Sequence, residues 1–230
     1  MISQINRLHR FFSGQLLYPL VLSSILAFGL FAARVIVTHN TVIYRNLVWN
    51  LFLAWLPYLF SIWAAASERL SPGKWWLLIV PGGLWLIFFP NAPYMMTDFL
   101  HLEDRPPIPL WYDILLIISF AWSGLFLAIG SLRTMQLLIK KYLGGFIGWL
   151  FVTAALGLSG LGIYLGRFER WNSWDLIIQP RQILHDLKTY MAAPTDNLRF
   201  FAFTLLFTAF LLICYLTFIA VRRADELEGL

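Results

Sequence analysis

Apolar residues run along this chain in blocks that are too long and too continuous to be strands. Six such stretches, near 15–38, 44–66, 75–97, 110–130, 144–166 and 200–221, carry few charges. A helix rising ~1.5 Å per residue crosses a ~30 Å hydrocarbon core in about 20 residues, so each stretch is long enough to span a bilayer. Membrane-barrel strands would instead alternate apolar and polar positions over about 10 residues. The pattern predicts an all-α, polytopic transmembrane helical bundle of six spans. The longest connection, 167–199, leaves no room for a separate soluble domain, so residues 1–230 are expected to form a single integral membrane domain.

Composition agrees: 60% of residues are hydrophobic, 13% are charged, and the mean hydropathy is +0.71. An ordinary soluble domain has roughly 45–50% apolar and about 25% charged residues. The first residues, MISQINRLHRFFSG, carry the positive charge of a signal sequence, but the apolar stretch after them is long and lacks a small-residue cleavage site. They read as the lead into an uncleaved first span. The single cysteine, Cys214, excludes a disulfide within the chain and sits in the sixth block, where a thiol packs as a small hydrophobe.

Lys and Arg set the expected orientation. On the side shared by the termini fall Arg7, Arg10, Arg69, Lys74, Arg133, Lys140, Lys141, Arg222 and Arg223. The two short opposite connections hold only Arg34, Arg45 and Arg105, while the long one adds Arg167, Arg170, Arg181, Lys188 and Arg199. Compact loops carry the more reliable part of the positive-inside rule, which predicts cytoplasmic termini in a cell inner (plasma) membrane. The net charge of +5 is thus a topology signal, with no basic domain to bind nucleic acid. The expected partner is the lipid bilayer.

Under that orientation most acids lie outside, among them Asp98, Glu103, Asp104, Asp113, Glu169 and Asp175, and His39, His101 and His185 join them. Asn46 and Asn50 sit one turn apart in the outer part of span two, where helix–helix hydrogen bonding is one use for them. Polar groups in hydrocarbon are costly unless paired or lining a wet cavity, so the clustering predicts a polar pocket open to the outer face.

The stretch FFPNAPYMMTDFLHLED, residues 88–104, marks its centre. Pro90 and Pro93 remove amide donors near the outer boundary of span three, so the helix must kink, unwind or re-enter there. Upstream, Pro81 and the glycines after it weaken the same helix. Asn91 is suited to serve the freed carbonyls or a ligand. If helix resumes, Tyr94, Asp98, His101 and Arg105 share one face. An aspartate beside a histidine can act with it as acid and base or place both on a metal; a Thr-Asp pair at a boundary can equally be a helix cap.

A second constellation, GRFERWNSWDLIIQP at residues 166–180, offers Arg167, Arg170, Asn172 and Asp175 at headgroup depth, between tryptophans that read as interfacial anchors. The arginines could hold a phosphate or carboxylate, or pair with Glu169 and Asp175. Pro180 can open a short outer interfacial helix with Ile183, Leu184, Leu187, Tyr190 and Met191 on one face. Span five is rich in glycine (Gly144, Gly148, Gly157, Gly160, Gly162, Gly166), which suits close helix packing.

No metalloprotease helix, Walker loop, dinucleotide fingerprint or paired Cys motif is present, so no cofactor is expected. The three outer histidines come from three connections without short-range ligand spacing, and no metal is expected either.

FFPNAPYMMTDFLHL together with RFERWNSWD resembles a bacterial family of multi-pass membrane proteins, domain of unknown function thirteen sixty-one. The likeness runs over nearly the whole chain from span two onward. It implies that residues 90–98 and 172–175 belong to a family pattern and supplies no activity. The residues themselves lead to a membrane-embedded enzyme acting at the outer leaflet on a lipid-linked or headgroup substrate. Asp98 and His101 would be catalytic; Asn46, Asn50, Asn91, Tyr94, Asp113, Arg167, Arg170, Asn172 and Asp175 would bind substrate. The competing readings are a small-solute transporter, which would more often show matching broken helices in two halves, and a partner subunit in envelope assembly. The oligomeric state stays open.

Overall fold

The computed structural model describes residues 14–228 and is all-α, with no strand among the described residues. Arg7 and Arg10 of the topology argument lie outside the described residues, as does the side chain of Arg223. Six helical segments are long and apolar enough to cross a membrane: Leu17–Thr38, Arg45–Leu70, Trp75–His101, Leu110–Leu143, Gly145–Phe168 and Leu198–Arg222. The protein is a multi-pass helical membrane protein, as the apolar blocks require.

We number the α-helices α1 (Leu17–Thr38), α2 (Arg45–Leu70), α3 (Ile79–Phe88), α4 (Asn91–Tyr94), α5 (Leu110–Leu143), α6 (Gly145–Phe168), α7 (Asp175–Ile178), α8 (Pro180–Ala192) and α9 (Leu198–Glu228). The fourth span outruns its apolar block by more than three turns. Beyond residue 130, α5 carries Arg133, Gln136, Lys140 and Lys141, yet nothing breaks it until Gly144, whose φ of 89° is open to glycine at no steric cost. Hydropathy measures where lipid could be, whereas the backbone stops where Gly144 takes a conformation outside the helix.

The chain forms two compact units that divide inside α5, one running to Met135 and the other starting at Gln136. In the first unit, hydroxyls and an indole join the spans. Trp55 Nε1 donates to Ser24 Oγ at 3.1 Å, Ser123 Oγ donates to Ser23 Oγ at 3.0 Å, and Tyr58 OH donates to the Gln15 carbonyl at 2.8 Å. Lipid offers no hydrophobic drive between helices, so such bonds and close packing hold them together.

The third span is composite. Trp75–Leu78 is a 3₁₀ turn, α3 and α4 follow, and Met95–His101 is again 3₁₀. Pro81 falls in the first turn of α3, where its missing amide has no helical acceptor to serve, so the expected weakening at Pro81 is absorbed by starting the α-helix at Ile79. The break comes at residues 89–90, where the Ala92 amide donates to the Phe89 carbonyl at 3.2 Å instead of reaching Phe88. Packing around this break depends on Gly124 of α5: a Cβ there would lie 2.5 Å from the Ala92 carbonyl oxygen and 2.9 Å from Met95 Sδ. Only glycine lets α5 come that close.

In the second unit, α6 packs along α9 through Gly160, where a Cβ would meet Thr208 Oγ1 at 2.6 Å and the Thr204 carbonyl oxygen at 2.8 Å. Tyr164, Phe168, Tyr190, Phe200 and Phe203 form an aromatic cluster at the end of α6, with Tyr190 and Phe200 stacked at 4.7 Å. That cluster seats the amphipathic helix α8.

Candidate functional site

Four chain ends meet at one end of the first unit: the close of α1, the start of α2, the close of the third span and the start of α5. Arg34 lies within the last turns of α1, and Asp113 in the first turn of α5. They form a two-point ion pair, Nε to Oδ1 at 2.7 Å and Nη2 to Oδ2 at 3.0 Å, with both side chains 1% exposed. Arg34 had been grouped with the connecting segments in the charge count; its place is inside the span, where a guanidinium is stable only because Asp113 neutralises it. A lone cation and a lone acid, each just within an apolar block on the same side, were the signal for this pair.

Tyr44 completes it. Its OH donates to Asp113 Oδ2 at 3.3 Å, and its ring lies under two guanidiniums, with the Cζ of Arg34 5.0 Å and that of Arg105 5.3 Å from the centroid. Burial, then the charge of Asp113, push the Tyr44 phenol above its ordinary value, against the opposing pull of the arginines, so it remains a donor. The backbone at Tyr44 is left-handed, φ 62° and ψ 11°, a conformation that costs a bulky L-residue energy. His39, exposed at the other end of this connection, is also left-handed at φ 51°. Between them, the Asn40 side chain accepts from the Val42 amide at 2.9 Å and fixes the turn.

Asp98 is 2% exposed, and the Asn50 amide nitrogen donates to its Oδ2 at 3.2 Å. Asn46, one turn earlier on α2, is exposed, so the two asparagines part company: only Asn50 reaches the acid. The Asn91 amide donates to the Phe88 carbonyl at 2.9 Å. Phe88 is the residue whose i+4 amide turned away at the break, so Asn91 repairs the backbone there. Tyr94 is half-buried, and its carbonyl accepts from Thr97 Oγ1 at 2.7 Å.

The expected helical face of Tyr94, Asp98, His101 and Arg105 does not form as such. The chain beyond Met95 is 3₁₀, which ends at His101, and Leu102 is extended with ψ 119°. Arg105 therefore leaves the helix and turns to Tyr44 and to Glu103, whose Oε2 accepts from its Nε at 3.1 Å and its Nη2 at 2.6 Å. A 3₁₀ turn has three residues, so Met95, Asp98 and His101 stand in one row instead. Met95 is buried, Asp98 nearly so, and His101 is exposed. The row climbs out of the core.

The second unit holds the remaining candidates. Arg167 is half-buried in the last turn of α6, and Arg170 is exposed with φ 61°. Asp175 Oδ2 accepts from the Asn172 amide at 2.7 Å and from its side chain at 3.2 Å, closing the turn into α7. Two bonds tie α8 to the end of α6: Trp171 Nε1 donates to Asp186 Oδ2 at 2.9 Å, and Tyr190 OH donates to Glu169 Oε1. Burial and the Glu169 carboxylate together push the Tyr190 phenol well above its ordinary value, so it stays protonated in that bond. Neither Asp186 nor the Tyr190–Glu169 pairing was foreseen; sequence spacing carries no trace of contacts across a turn. On α8 itself Ile183 is buried, whereas Leu184 and Met191, expected on the same face, are exposed. His185 is exposed as well.

Among the described residues no three His, Cys, Asp or Glu side chains gather as a metal-holding group. The chemistry this arrangement offers is that of a buried carboxylate with an amide partner, an imidazole at the surface above it, and guanidiniums fixed by carboxylates.

These features define a multi-pass helical membrane protein with a polar, ion-paired end built into its first four spans. The chain belongs to the family described as Protein of unknown function (DUF1361), whose model matches residues 49–214. Asn50, Asn91, Asp98, His101, Asp113 and the 167–175 segment lie inside that match; Arg34 and Tyr44 precede it. Comparison with curated proteins and with solved structures finds no match.

Proposed function

We propose that the protein is a small membrane-embedded enzyme that acts at the outer leaflet of the plasma membrane on a lipid-linked or headgroup substrate. The observation that carries this reading is the row of the 3₁₀ segment: Asp98 is 2% exposed and held by Asn50, and exposed His101 lies one turn above it. A carboxylate fixed in low dielectric beneath an accessible imidazole is a pair suited to move a proton to or from a group held at the surface. Asn50 orients the acid from α2. Asn91 supports it indirectly, by completing the backbone that places Asp98.

The outer-leaflet assignment rests on the Lys and Arg distribution, which also puts the termini in the cytoplasm. In the second unit, α7 and α8 would rest in the headgroup layer. The exposed apolar residues Ile177, Ile178, Leu184 and Met191 support that placement of α7 and α8.

The test is profiling of lipids and envelope glycans in cells lacking the gene, complemented with wild type or Asp98→Asn. Loss of the enzyme should accumulate a lipid-linked precursor, and Asp98→Asn should accumulate the same species while yielding as much folded protein. Full complementation by Asp98→Asn would remove the catalytic assignment. A transporter would show up instead as altered distribution of a solute with unchanged lipid composition.

A further inference from the structure

Arg34 and Arg105 are held in the same way. Each presents its Nε and Nη2 edge to one carboxylate, Asp113 for Arg34 and Glu103 for Arg105. A guanidinium gripped on that edge keeps Nη1 on its far side. Arg34 Nη1 is buried and has no hydrogen-bond partner among the described residues. A buried, unsatisfied donor on a charged group costs more than almost any other polar defect, and calls for an acceptor that the described residues do not supply.

The surroundings say what sort of acceptor. Both guanidiniums lie over the Tyr44 ring, at 5.0 and 5.3 Å from its centroid, so Tyr44 is the residue they share. Arg105 is partly exposed, with 29% of its side chain accessible, while Arg34 is buried. Arg34 is four residues from the end of α1 and Asp113 three beyond the start of α5, so both lie near the ends of their spans, where a headgroup can approach. Two guanidiniums with free amino groups match an oxyanion with several acceptor atoms. Tyr44, whose ring packs against the Arg34 guanidinium, has a left-handed backbone at φ 62°. Strain of that kind persists where the surrounding structure holds a residue for a purpose.

We infer that Arg34, Tyr44 and Arg105 form an oxyanion site that takes a phosphate group, with Arg105 making the first contact and Tyr44 moving to expose Arg34. The phosphate can belong to an anionic lipid headgroup or be free in solution. As a binding site it stands on its own geometry; as a substrate site it rests on the enzyme reading and names the headgroup as phosphate-bearing.

The experiment measures binding to purified, detergent-solubilised protein. Native mass spectrometry follows retention of phosphatidylglycerol against phosphatidylcholine, and calorimetry follows inorganic phosphate. Phosphatidylglycerol is expected to be retained preferentially, and Arg105→Gln to weaken it about tenfold, the worth of one charged hydrogen bond. Arg34→Gln paired with Asp113→Asn removes the inner donor without leaving a buried charge and should act likewise. Should the pair fail to fold, the variant at the partly exposed Arg105 alone decides. Phosphatidylglycerol retention without a phosphate response identifies the headgroup as the source; strong binding of phosphate that displaces the lipid identifies the free ion. Equal retention of both lipids with no phosphate binding, or Arg105→Gln binding like wild type, overturns the site. Asp98→Asn should bind as wild type does, so failure of the catalytic reading and failure of this site give different results.

Discussion

Arg34 and Asp113 stand 79 residues apart and meet edge to edge at 2.7 and 3.0 Å, fastening the close of the first span to the opening of the fourth. Both are shut away from solvent, each close to the end of its own span. So enclosed, each charge depends on the other, because either one alone would face the full cost of desolvation.

Arg34→Met should therefore destabilise the protein by about 3–5 kcal/mol, since it strands the Asp113 carboxylate. Arg34→Met combined with Asp113→Leu should recover most of that loss, because the stranded charge is gone and the site is apolar. Thermal unfolding in detergent measures both. A double variant no more stable than the single one would mean that the pair is not what the Met substitution disturbs.

How much of this was written in the sequence depends on the range of the interaction. The six spans were legible because hydropathy is a property of contiguous residues, and so was the break at Pro90, because proline lacks its amide wherever it sits. Asn91 as a donor to freed carbonyls was legible for the same local reason. The Asn50–Asp98 bond was not, and of the Arg34–Asp113 pair only the two lone charges were, since these contacts join helices whose rotation about their own axes is set by packing. Gly124 shows the limit best. It stands in an unremarkable apolar run, and only the approach of Ala92 and Met95 to it reveals why a side chain cannot be there. The 3₁₀ form of Met95–His101 also escaped, and it moved Arg105 from the Asp98 face to Tyr44.

Orientation gives a second prediction. Alkaline phosphatase fused after Glu103 or after Thr189 should be active, and fused after Ser71 it should be inactive, following the Lys and Arg of the short loops. The reverse pattern would put the Arg34–Asp113 end in the cytoplasm. It would withdraw the outer leaflet as the place of action while leaving the geometry of the site as it is.

Gly160 and Gly157 lie one turn apart on α6 and should respond in opposite ways. A Cβ at Gly160 would sit 2.6 Å from Thr208 Oγ1 and 2.8 Å from the Thr204 carbonyl oxygen, and the latter is backbone that cannot swing aside. Gly160→Ala should force α6 and α9 apart and cost roughly 1–3 kcal/mol. Nothing lies within 4 Å of a Cβ at Gly157, so Gly157→Ala should be neutral or stabilise by up to about 1 kcal/mol through helix propensity. Equal melting temperatures for the two variants would show that the close approach at Gly160 does not limit packing.

The break in the third span separates scaffold from chemistry. Asn91 Nδ2 donates to the Phe88 carbonyl at 2.9 Å, standing in for the Ala92 amide that bonds to Phe89 instead. Asn91→Leu leaves that carbonyl without its donor and should cost about 1–3 kcal/mol in folded stability. Pro90→Ala restores an amide and removes the reason for the interruption, so the helix can continue regularly and rotate Asp98 away from Asn50. Its signature should be loss of complementation with stability near or above wild type. Asp98→Asn differs from both, because the side chain keeps its size and much of its hydrogen bonding but loses its charge and its capacity to take a proton. It should fold as well as wild type and fail only in function. Folded yield, melting temperature and complementation, read together on the three variants, sort the roles. If Asn91→Leu melts as wild type does but fails to complement, the Asn91 amide is not a structural donor, and its place beside the break is open to a ligand instead.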